Sequence, residues 1–468
     1  MVLLEPGSSL PSRLPQAATW RALHARSKPA HADVRIATLG TSHRCVAVLA
    51  YCRPDASAFE RLSIAGRAFK SVGTAGELTG RVAVAASAED PSRKLSLLEA
   101  LCAAAASHGF PLPTLRKDSR RVDRVDVLAA DGFGVARAQA GNDAANLARH
   151  LTALPPNVLD AAGYRRALGT LSRRHGLSLR WYDETALRRA GCGAFLAVTA
   201  GSATRDAGIA HLRWRPKGRR LNDAPDVALV GKGIVFDTGG TNLKPHRGML
   251  DMHTDMAGSA VALSVLTALA SLNAPIAADA WLAITDNAIG PRAYRPQDVV
   301  TAANGTTIQI IHTDAEGRLV LADTLALAAK TRPKLLLDYA TLTGACVTAL
   351  TERRSGLFCN RADLTRSISA AGDASGERVW PFPLDADYDS DLESTVADIA
   401  QCAVDGKGDH ILAARFLQRF VPESIPWAHL DLTSATRKGG LAHVPTEETG
   451  FGVRLTLSLL LDSRPEVA

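Results

Sequence analysis

Four carboxylates lie in three short segments of the sequence, each beside an apolar run. They are Asp237, Asp255, Asp314 and Glu316. If these segments meet at one edge of a sheet, their negative charges repel one another unless a cation lies between them. One arginine, Arg318, is a poor explanation for all four, whereas a bridging pair of metal ions would remove the conflict. The pattern therefore indicates a metal centre.

The segment HTDAEGR (312–318) carries its functional groups at alternate positions. If it is extended, Asp314, Glu316 and Arg318 project to one side, and the small residues between them allow close packing on the other. A surface charge cluster before a helix is the alternative, but it would not require such small spacers. We therefore predict that both carboxylates and the guanidinium share one face.

A glycine-rich segment, VGKGIVFDTGGTNLKP (230–245), contains Lys232, Asp237 and Lys244. A phosphate-binding loop would require the order GxxxxGK followed by Ser or Thr, and because that order is absent we exclude it.

Asp255 taken alone has a simpler interpretation. It stands immediately before a long apolar helical pattern and could cap that helix.

Strand and helix patterns alternate in the part of the chain that carries these residues. The predicted strands cover 178–182, 227–230, 277–284, 307–311 and 335–339, and the predicted helices cover 184–189, 257–272 and 319–330. This alternation is typical of an α/β fold with a mostly parallel mixed sheet flanked by helices. Because such sheets bind ligands at the carboxyl ends of their strands, the carboxylates lie where chemistry is expected.

The chain of 468 residues is long enough for two domains. Short apolar runs and helical patterns between 32 and 130 predict a smaller α/β domain whose role the sequence does not reveal. Glycine becomes frequent at 132–141. We therefore predict an N-terminal domain at 1–138 and a larger domain at 139–468.

The seven cysteines are scattered and include no CxxC pair. This distribution argues against a disulfide framework and a thiolate cluster, so oxygen or nitrogen must hold any metal, and a reducing cytosol fits. Residues 1–13 lack the pattern of a signal peptide, and no apolar run approaches the roughly 20 residues that span a bilayer. We predict a cytoplasmic protein with no membrane role.

Charge is distributed unevenly along the chain. Residues 1–220 hold 33 Lys and Arg against 17 Asp and Glu, and residues 221–468 hold 21 against 30, so the halves carry about +16 and −9. A basic half could bind nucleic acid through phosphate neutralisation. An arginine-rich compositional bias is the simpler explanation, because no compact basic stripe with interleaved aromatic residues occurs. A nucleic-acid-binding regulator remains the alternative function.

Six segments together resemble the catalytic domain of the leucyl aminopeptidases, a family of dizinc enzymes that remove amino-terminal residues from peptides. In order, they are VGKGIVFDTGG, LKPHRGM, MHTDMAGSA, GPRAYRPQDVV, HTDAEGRLVLADTL and DYATLTGA. The resemblance covers about residues 140–468, and TDAEGRL is its most specific motif. It implies that 139–468 is a catalytic metallopeptidase domain acting on peptides with a free N-terminus. It also implies a homohexamer whose active sites face an internal cavity.

The resemblance further implies which side chains hold two divalent metal ions. They are Lys232, Asp237, Asp255, Asp314 and Glu316. Lysine is a ligand only as the neutral amine, and two adjacent dications would lower its pKa enough to favour that form. Carboxylates with one nitrogen suit Zn²⁺ and also Mn²⁺. Two ions can share one water, lower its pKa and supply a hydroxide that attacks the peptide carbonyl.

Lys244 and Arg318 match the two catalytic positions of the family. Lys244 would stabilise the oxyanion of the tetrahedral intermediate, although an ordinary solvated lysine is the alternative. Arg318 would hold a bicarbonate that acts as general base, and a salt bridge to Asp314 or Glu316 is the alternative.

Three positions depart from the family pattern. His312 replaces a usual asparagine, and we expect it in the pocket wall or behind the ligands rather than on a metal. Thr238 replaces a usual serine, and His253 stands where a basic residue is common. Met252 and the segment 341–345 are expected to line the pocket for the first side chain. A preference for apolar, leucine-like residues follows from the resemblance alone.

Overall fold

The computed structural model describes residues 1–12, 14–26, 28–39, 45–72, 80–114, 122–128 and 131–463. Its strands are β1 (Val2–Leu4), β2 (Val34–Leu39), β3 (Cys45–Tyr51), β4 (Gly80–Ser87), β5 (Val122–Val127), β6 (Ser178–Tyr182), β7 (Gly208–Trp214), β8 (Val227–Asp237), β9 (Ala278–Asn287), β10 (Val299–Thr301), β11 (Thr307–Gln309), β12 (Leu335–Ala340), β13 (Ser355–Cys359), β14 (Val379–Pro381), β15 (Ile399–Ala400) and β16 (Trp427–Asp431). Its helices are α1 (Ala17–Ala25), α2 (Ala58–Lys70), α3 (Pro91–Gly109), α4 (Val135–Thr152), α5 (Ala161–His175), α6 (Glu184–Arg189), α7 (Gly193–Thr199), α8 (His246–Met249), α9 (Ala257–Ser271), α10 (Glu316–Ala329), α11 (Gly344–Leu350), α12 (Ala362–Ser375), α13 (Asp409–Gln418) and α14 (Val453–Ser458).

The N-terminal part of the chain forms a five-stranded sheet in the order β2-β3-β1-β4-β5. Strand β1 pairs in parallel with both β3 and β4, and β2 closes one edge in the antiparallel sense. Helices α2 and α3 pack against each other over this sheet. This sheet with its helices is the smaller α/β unit that the sequence predicts. The predicted domain boundary at residue 138 stays a prediction, because α4 continues through that position.

The larger sheet has eight strands in the order β14-β13-β16-β12-β8-β9-β7-β6. Its centre is parallel, because β12 pairs in parallel with both β16 and β8, and β8 pairs in parallel with β9. Antiparallel pairs occur toward the edges, between β13 and β16 and between β7 and β9. The predicted mostly parallel mixed sheet is therefore confirmed.

Helices cover both faces of this sheet. Helix α9 packs on β8 and β9 from one side together with α4, while α10 packs on the same strands from the other side, with α7 and α13 beside it. The sequence of α9, AGSAVALSVLTALAS, is apolar around its whole circumference, which is typical of a helix enclosed on every side. Central strands buried on both faces are near-continuous apolar runs for the same reason.

The stretch His246–Ser271, which comprises α8, a 3-10 turn and α9, is long and apolar enough by length and composition to cross a membrane. Within its most apolar window 89% is buried inside the fold, as in the core helix of a soluble protein. The sequence predicts no uninterrupted apolar run of the roughly 20 residues that span a bilayer, because the segment before α9 contains charged side chains.

Two predicted elements differ from the structure. Helix α10 begins at Glu316 and not at 319, so Glu316 and Arg318 lie in its first turn and the prediction of an extended segment through 318 is wrong. The short strand β11 does not join the large sheet but pairs with β10 and β15 in a separate three-stranded sheet.

Candidate active site

Strand β8 brings Lys232 and Asp237 to the same side of the sheet. They stand five positions apart, so in an unbroken strand their side chains would point to opposite faces. The pairing with β9 moves three residues along β8, from Ile234 to Asp237, for two along β9, from Thr285 to Asn287. This one-residue bulge reverses the alternation, and both side chains line one cleft.

Asp255 follows a single 3-10 turn, Met252–Thr254, and precedes α9. Helix α9 has no side-chain cap, so the alternative role of Asp255 as a helix cap is not realised. Its carboxylate instead accepts a hydrogen bond from Oγ1 of Thr341 at 2.7 Å and lies 2.8 Å from Nζ of Lys232. Asp255 therefore faces the cleft beyond the end of β12.

Asp237, Asp255 and Glu316 form a buried acidic cluster. One carboxylate oxygen from each lies within 4.8 Å of the others. Nζ of Lys232 lies between two of them, 2.8 Å from Asp255 and 2.9 Å from Glu316. Gly317 makes this approach possible, because a Cβ atom at that position would lie 2.6 Å from Nζ of Lys232.

Lys244 joins a fourth carboxylate to this cluster. Its Nζ lies 2.8 Å from Oδ2 of Asp237 and 2.5 Å from Oδ1 of Asp314. Gly239, at φ +87°, turns the chain here and leaves room for the backbone of Lys244 and the carboxylate of Asp314. All five predicted metal ligands and Lys244 are thus brought together at the carboxyl ends of the central strands.

Burial and mutual repulsion perturb the ionisation of these groups. Burial raises the pKa of Glu316 to about 8, and the nearby charge of Asp237 adds to the shift. Burial likewise raises the pKa of Asp255 to about 6 and, together with Asp237, raises that of Asp314. In the absence of added cations, this cluster therefore holds a proton near neutral pH.

Burial alone would lower the pKa of Lys232, but the attraction of Asp255 and Glu316 outweighs it, so the pKa is raised. Without metal ions, Lys232 is therefore an ammonium group and not the neutral amine that a ligand must be. Metal binding would have to displace its proton, which is the usual linkage between metal affinity and ligand protonation.

The donor set fits divalent cations. Oδ2 of Asp255 and Oδ1 of Asp314 are buried beside an ammonium group, yet neither accepts a well-aligned hydrogen bond from the described residues. Four carboxylates that each retain an oxygen for coordination, together with one amine, match the hard-oxygen and nitrogen donors that Zn²⁺ and Mn²⁺ accept.

Several residues that hold the acidic cluster in place were not identified from the sequence. Nδ2 of Asn287 donates to Oδ1 of Asp237 at 2.8 Å and to the carbonyl of Thr313 at 3.0 Å. The hydroxyl of Tyr294 donates to the same carbonyl at 2.6 Å. These contacts orient the loop that carries Asp314, and no spacing in the sequence predicts them.

Arg318 lines the same cleft. Its Nη2 donates to both oxygens of Asp409, at 2.8 and 2.9 Å, and its Nη1 donates to the carbonyl of Gln401 at 3.1 Å. The alternative of a salt bridge from Arg318 to Asp314 or Glu316 is therefore wrong. Nε of Arg318 is buried and has no hydrogen-bond partner among the described residues.

The cleft itself is a cavity of about 690 Å³. The residues that surround it include Met252, Thr341, Leu342, Thr343, Gly344, Val347, Leu432, Thr433 and Thr436. Met252 and four residues of the predicted segment 341–345 are among them. His312 lies exposed at the rim, where its Nδ1 accepts from the amide of Asp314 at 3.2 Å.

Known proteins resemble this chain in both sequence and structure. The model of the cytosol aminopeptidase family, catalytic domain, matches residues 146–457. A protein of Syntrophotalea carbinolica named "Probable cytosol aminopeptidase" is 40% identical over 347 residues, which is 72% of this chain and 69% of that protein. One of the same name from Synechococcus sp. is 37% identical over 432 residues, 91% of this chain and 87% of that protein.

Among solved structures, the bottromycin maturation enzyme BotP in complex with Mn matches with a TM-score of 0.84 and 30% sequence identity, covering 100% of this chain and 99% of that one. The match includes both the smaller N-terminal unit and the large mixed sheet. The chain therefore belongs to the cytosol aminopeptidase family and is a metal-dependent aminopeptidase of the leucyl aminopeptidase type.

Proposed function

We propose that this aminopeptidase releases the first amino acid of peptides with a free N-terminus by using two divalent metal ions. The observation that supports this proposal most directly is the buried cluster of Asp237, Asp255 and Glu316, whose oxygens lie within 4.8 Å of one another. Lys232 and Asp314 complete the proposed ligand set. Ordinary packing gives no reason to bury so many like charges together.

When bound, two divalent ions would share a water, lower its pKa and so supply the hydroxide nucleophile. Lys232 would act as a ligand after losing its proton. Lys244 would then be released from its carboxylate partners and remain charged, because Asp237 and Asp314 would coordinate the ions. Its ammonium group could stabilise the oxyanion that forms on the substrate carbonyl, a contribution often worth about 3 kcal/mol.

Arg318 would hold the anion that accepts a proton from the attacking water. The resemblance to the leucyl aminopeptidases implies bicarbonate for this role. Nε of Arg318, which has no partner within the described part of the chain, is a donor that such an anion could use.

The first side chain of the substrate would lie against Met252, Leu342 and Gly344 in the cleft. Apolar contacts from these residues support a preference for leucine-like side chains. Anchoring of the free amino group near the ions explains why cleavage would stop after the first residue.

The native metal could be Zn²⁺ or Mn²⁺, since the donors suit both; the BotP complex contains Mn.

A homohexamer in the cytosol is implied by the resemblance, and light scattering in solution would measure its mass. The alternative of a nucleic-acid-binding regulator has no support from the comparisons.

The test is hydrolysis of leucine p-nitroanilide by the purified chain before and after chelation. We expect activity to disappear on metal removal and to return with Zn²⁺ or Mn²⁺. Asp255→Asn should abolish it, whereas Asp251→Asn, which changes an exposed neighbour, should not. A metal-replete protein that cleaves no peptide with a free amino group would contradict the proposal.

A further inference from the structure

Asp409 already occupies the place beside Arg318 where a proton-accepting anion is needed. Both of its carboxylate oxygens accept from Nη2 of Arg318, at 2.8 and 2.9 Å. We propose that Asp409 is the general base of the reaction and makes bound bicarbonate unnecessary in this chain. This inference rests on the proposed function and names the group that receives the proton.

The carboxylate of Asp409 is open to the cleft, whereas its partner is enclosed. The side chain of Asp409 is 25% exposed and that of Arg318 is 2% exposed. Both residues line the cavity that contains the acidic cluster. A general base needs a free lone pair, and the carboxylate of Asp409 retains lone pairs on the side that is open to the cavity.

The local chain directs Asp409 into the cleft. Gly406 and Gly408 adopt φ values of 67° and 59°, and this tight turn ends where Asp409 begins α13. The N-terminus of this ten-residue helix favours a negative charge at that position. The carboxylate is therefore oriented by two features, the guanidinium of Arg318 and the first turn of α13.

The other carboxylates that line the cleft are already engaged. Four are proposed metal ligands. Asp431 is 1% exposed, and it accepts from Oγ1 of Thr343 at 2.6 Å and from the amide of Leu342 at 3.1 Å. Asp405 lies 2.8 Å from Lys407 and is 54% exposed. Among the carboxylates of this described cleft, Asp409 alone is both anchored by a buried cation and open to the cavity.

The proton transfers balance as follows. As the water oxygen forms a bond to the carbonyl carbon, one water proton passes to a carboxylate oxygen of Asp409, and the carbonyl oxygen becomes an oxyanion. Asp409 then gives this proton to the peptide nitrogen as the C–N bond breaks and its electron pair stays on nitrogen. The second water proton leaves with the product acid and protonates the released amine, so Asp409 returns to its ionised form.

The experiment compares the metal-loaded wild type with Asp409→Asn, Asp409→Ala and the control Asp405→Asn in carbon-dioxide-free buffer, with and without bicarbonate or formate. We expect wild-type kcat to be independent of bicarbonate. Asp409→Asn should lose about 100-fold or more in kcat, because the amide accepts a hydrogen bond but no proton. Asp409→Ala should lose as much and recover at least about tenfold with formate or bicarbonate, which can enter the vacated space at Arg318.

A second readout is independent of turnover. The thermal unfolding midpoint of metal-loaded Asp409→Ala should rise with formate, because the anion pairs with the buried guanidinium, whereas the wild-type midpoint should not change. The same measurement shows that each variant is folded. Asp405→Asn should match the wild type in both assays.

Two results would overturn the inference while leaving the peptidase intact: Asp409→Asn with wild-type kcat, or wild-type kcat that depends on added bicarbonate. The first would reduce Asp409 to a structural partner of Arg318. A metal-loaded wild type with no activity would instead contradict the proposed function, and the inference with it.

Discussion

At the scale of single residues, the environment of Lys232 determines whether the site can exist. Its side chain is 3% exposed and lies within 3 Å of Asp255, Glu316 and the carbonyl of Thr341. A Cβ at position 317 would lie 2.6 Å from Nζ of Lys232, so any side chain there would displace the amine from this position. The close packing of the Lys232 amine thus explains why a residue as small as Gly317 separates Glu316 from Arg318.

We expect Gly317→Ala to reduce metal affinity at least about tenfold, because it displaces Lys232 from the carboxylates. Calorimetric titration of the metal-free protein with Mn²⁺ measures the change. The matched control is Gly169→Ala in α5, where the added methyl meets the nearest atom at an ordinary 3.7 Å. Equal affinity in both variants would show that Lys232 tolerates displacement.

The residues of the candidate site could be predicted from the sequence, but the residues that support them could not. Side-chain type and spacing were enough to identify Asp314 and Glu316, because carboxylates in close succession conflict without a cation. Asn287 and Asp409 gave no such signal, since a single amide at the end of a strand and a single carboxylate after a glycine are both common in proteins. Their roles depend on contacts between residues 26 or more positions apart in the sequence.

At the scale of elements, the order of strands and helices was predictable and their ends were not. Strand 227–230 was recognised from its apolar run, but β8 continues to Asp237 through two glycines that are unfavourable in strands. Helix α10 starts three residues before its apolar pattern, because its first turn carries the polar groups of the site. In both elements the polar residues of the candidate site lie just outside the apolar run. The apolar run alone therefore does not show where β8 ends or where α10 begins.

A buried carboxylate supports another element and makes stability depend on pH. Glu377 accepts from the amides of Gly452 at 2.9 Å and Leu455 at 2.8 Å, at the start of α14. Burial raises its pKa from 4.5 to about 7. The folded chain therefore keeps a proton that the unfolded chain releases, and the contribution of Glu377 to the free energy of unfolding falls as pH rises from about 4.5 to 7.

We expect Glu377→Gln to remove this contribution, so that stability declines less between pH 5 and pH 8 than in the wild type. Urea unfolding of both proteins at the two pH values measures the difference. Glu352→Gln, at an exposed position, serves as control and should follow the wild type. An unchanged pH dependence in Glu377→Gln would mean that Glu377 is ionised throughout this range.

At the scale of the whole molecule, several arginines of the first 220 residues are held in local ion pairs. They include Arg35–Asp33, Arg53–Glu60, Arg93–Glu5, Arg124–Asp126, Arg205–Glu184 and Arg219–Asp226. An arginine paired with a carboxylate offers less attraction to a phosphate backbone. The described residues thus favour the explanation of compositional bias over a nucleic-acid surface.

We therefore expect duplex DNA to bind weakly at low salt and not measurably at about 150 mM salt. Fluorescence anisotropy of a labelled duplex across a salt series makes the measurement, with single-stranded RNA in parallel. Binding that persists in the micromolar range at 150 mM salt would restore the alternative of a regulator.

The bulge in β8 has a consequence for any protein built on the same plan. Lys232 and Asp237 share a face only because one extra residue lies between them on this strand. Deleting a single amino acid there would turn the aspartate toward α9 or α10 and away from its partners, even though every chemical group survived. The length of this interval therefore matters to the candidate site as much as the identity of the two side chains at its ends.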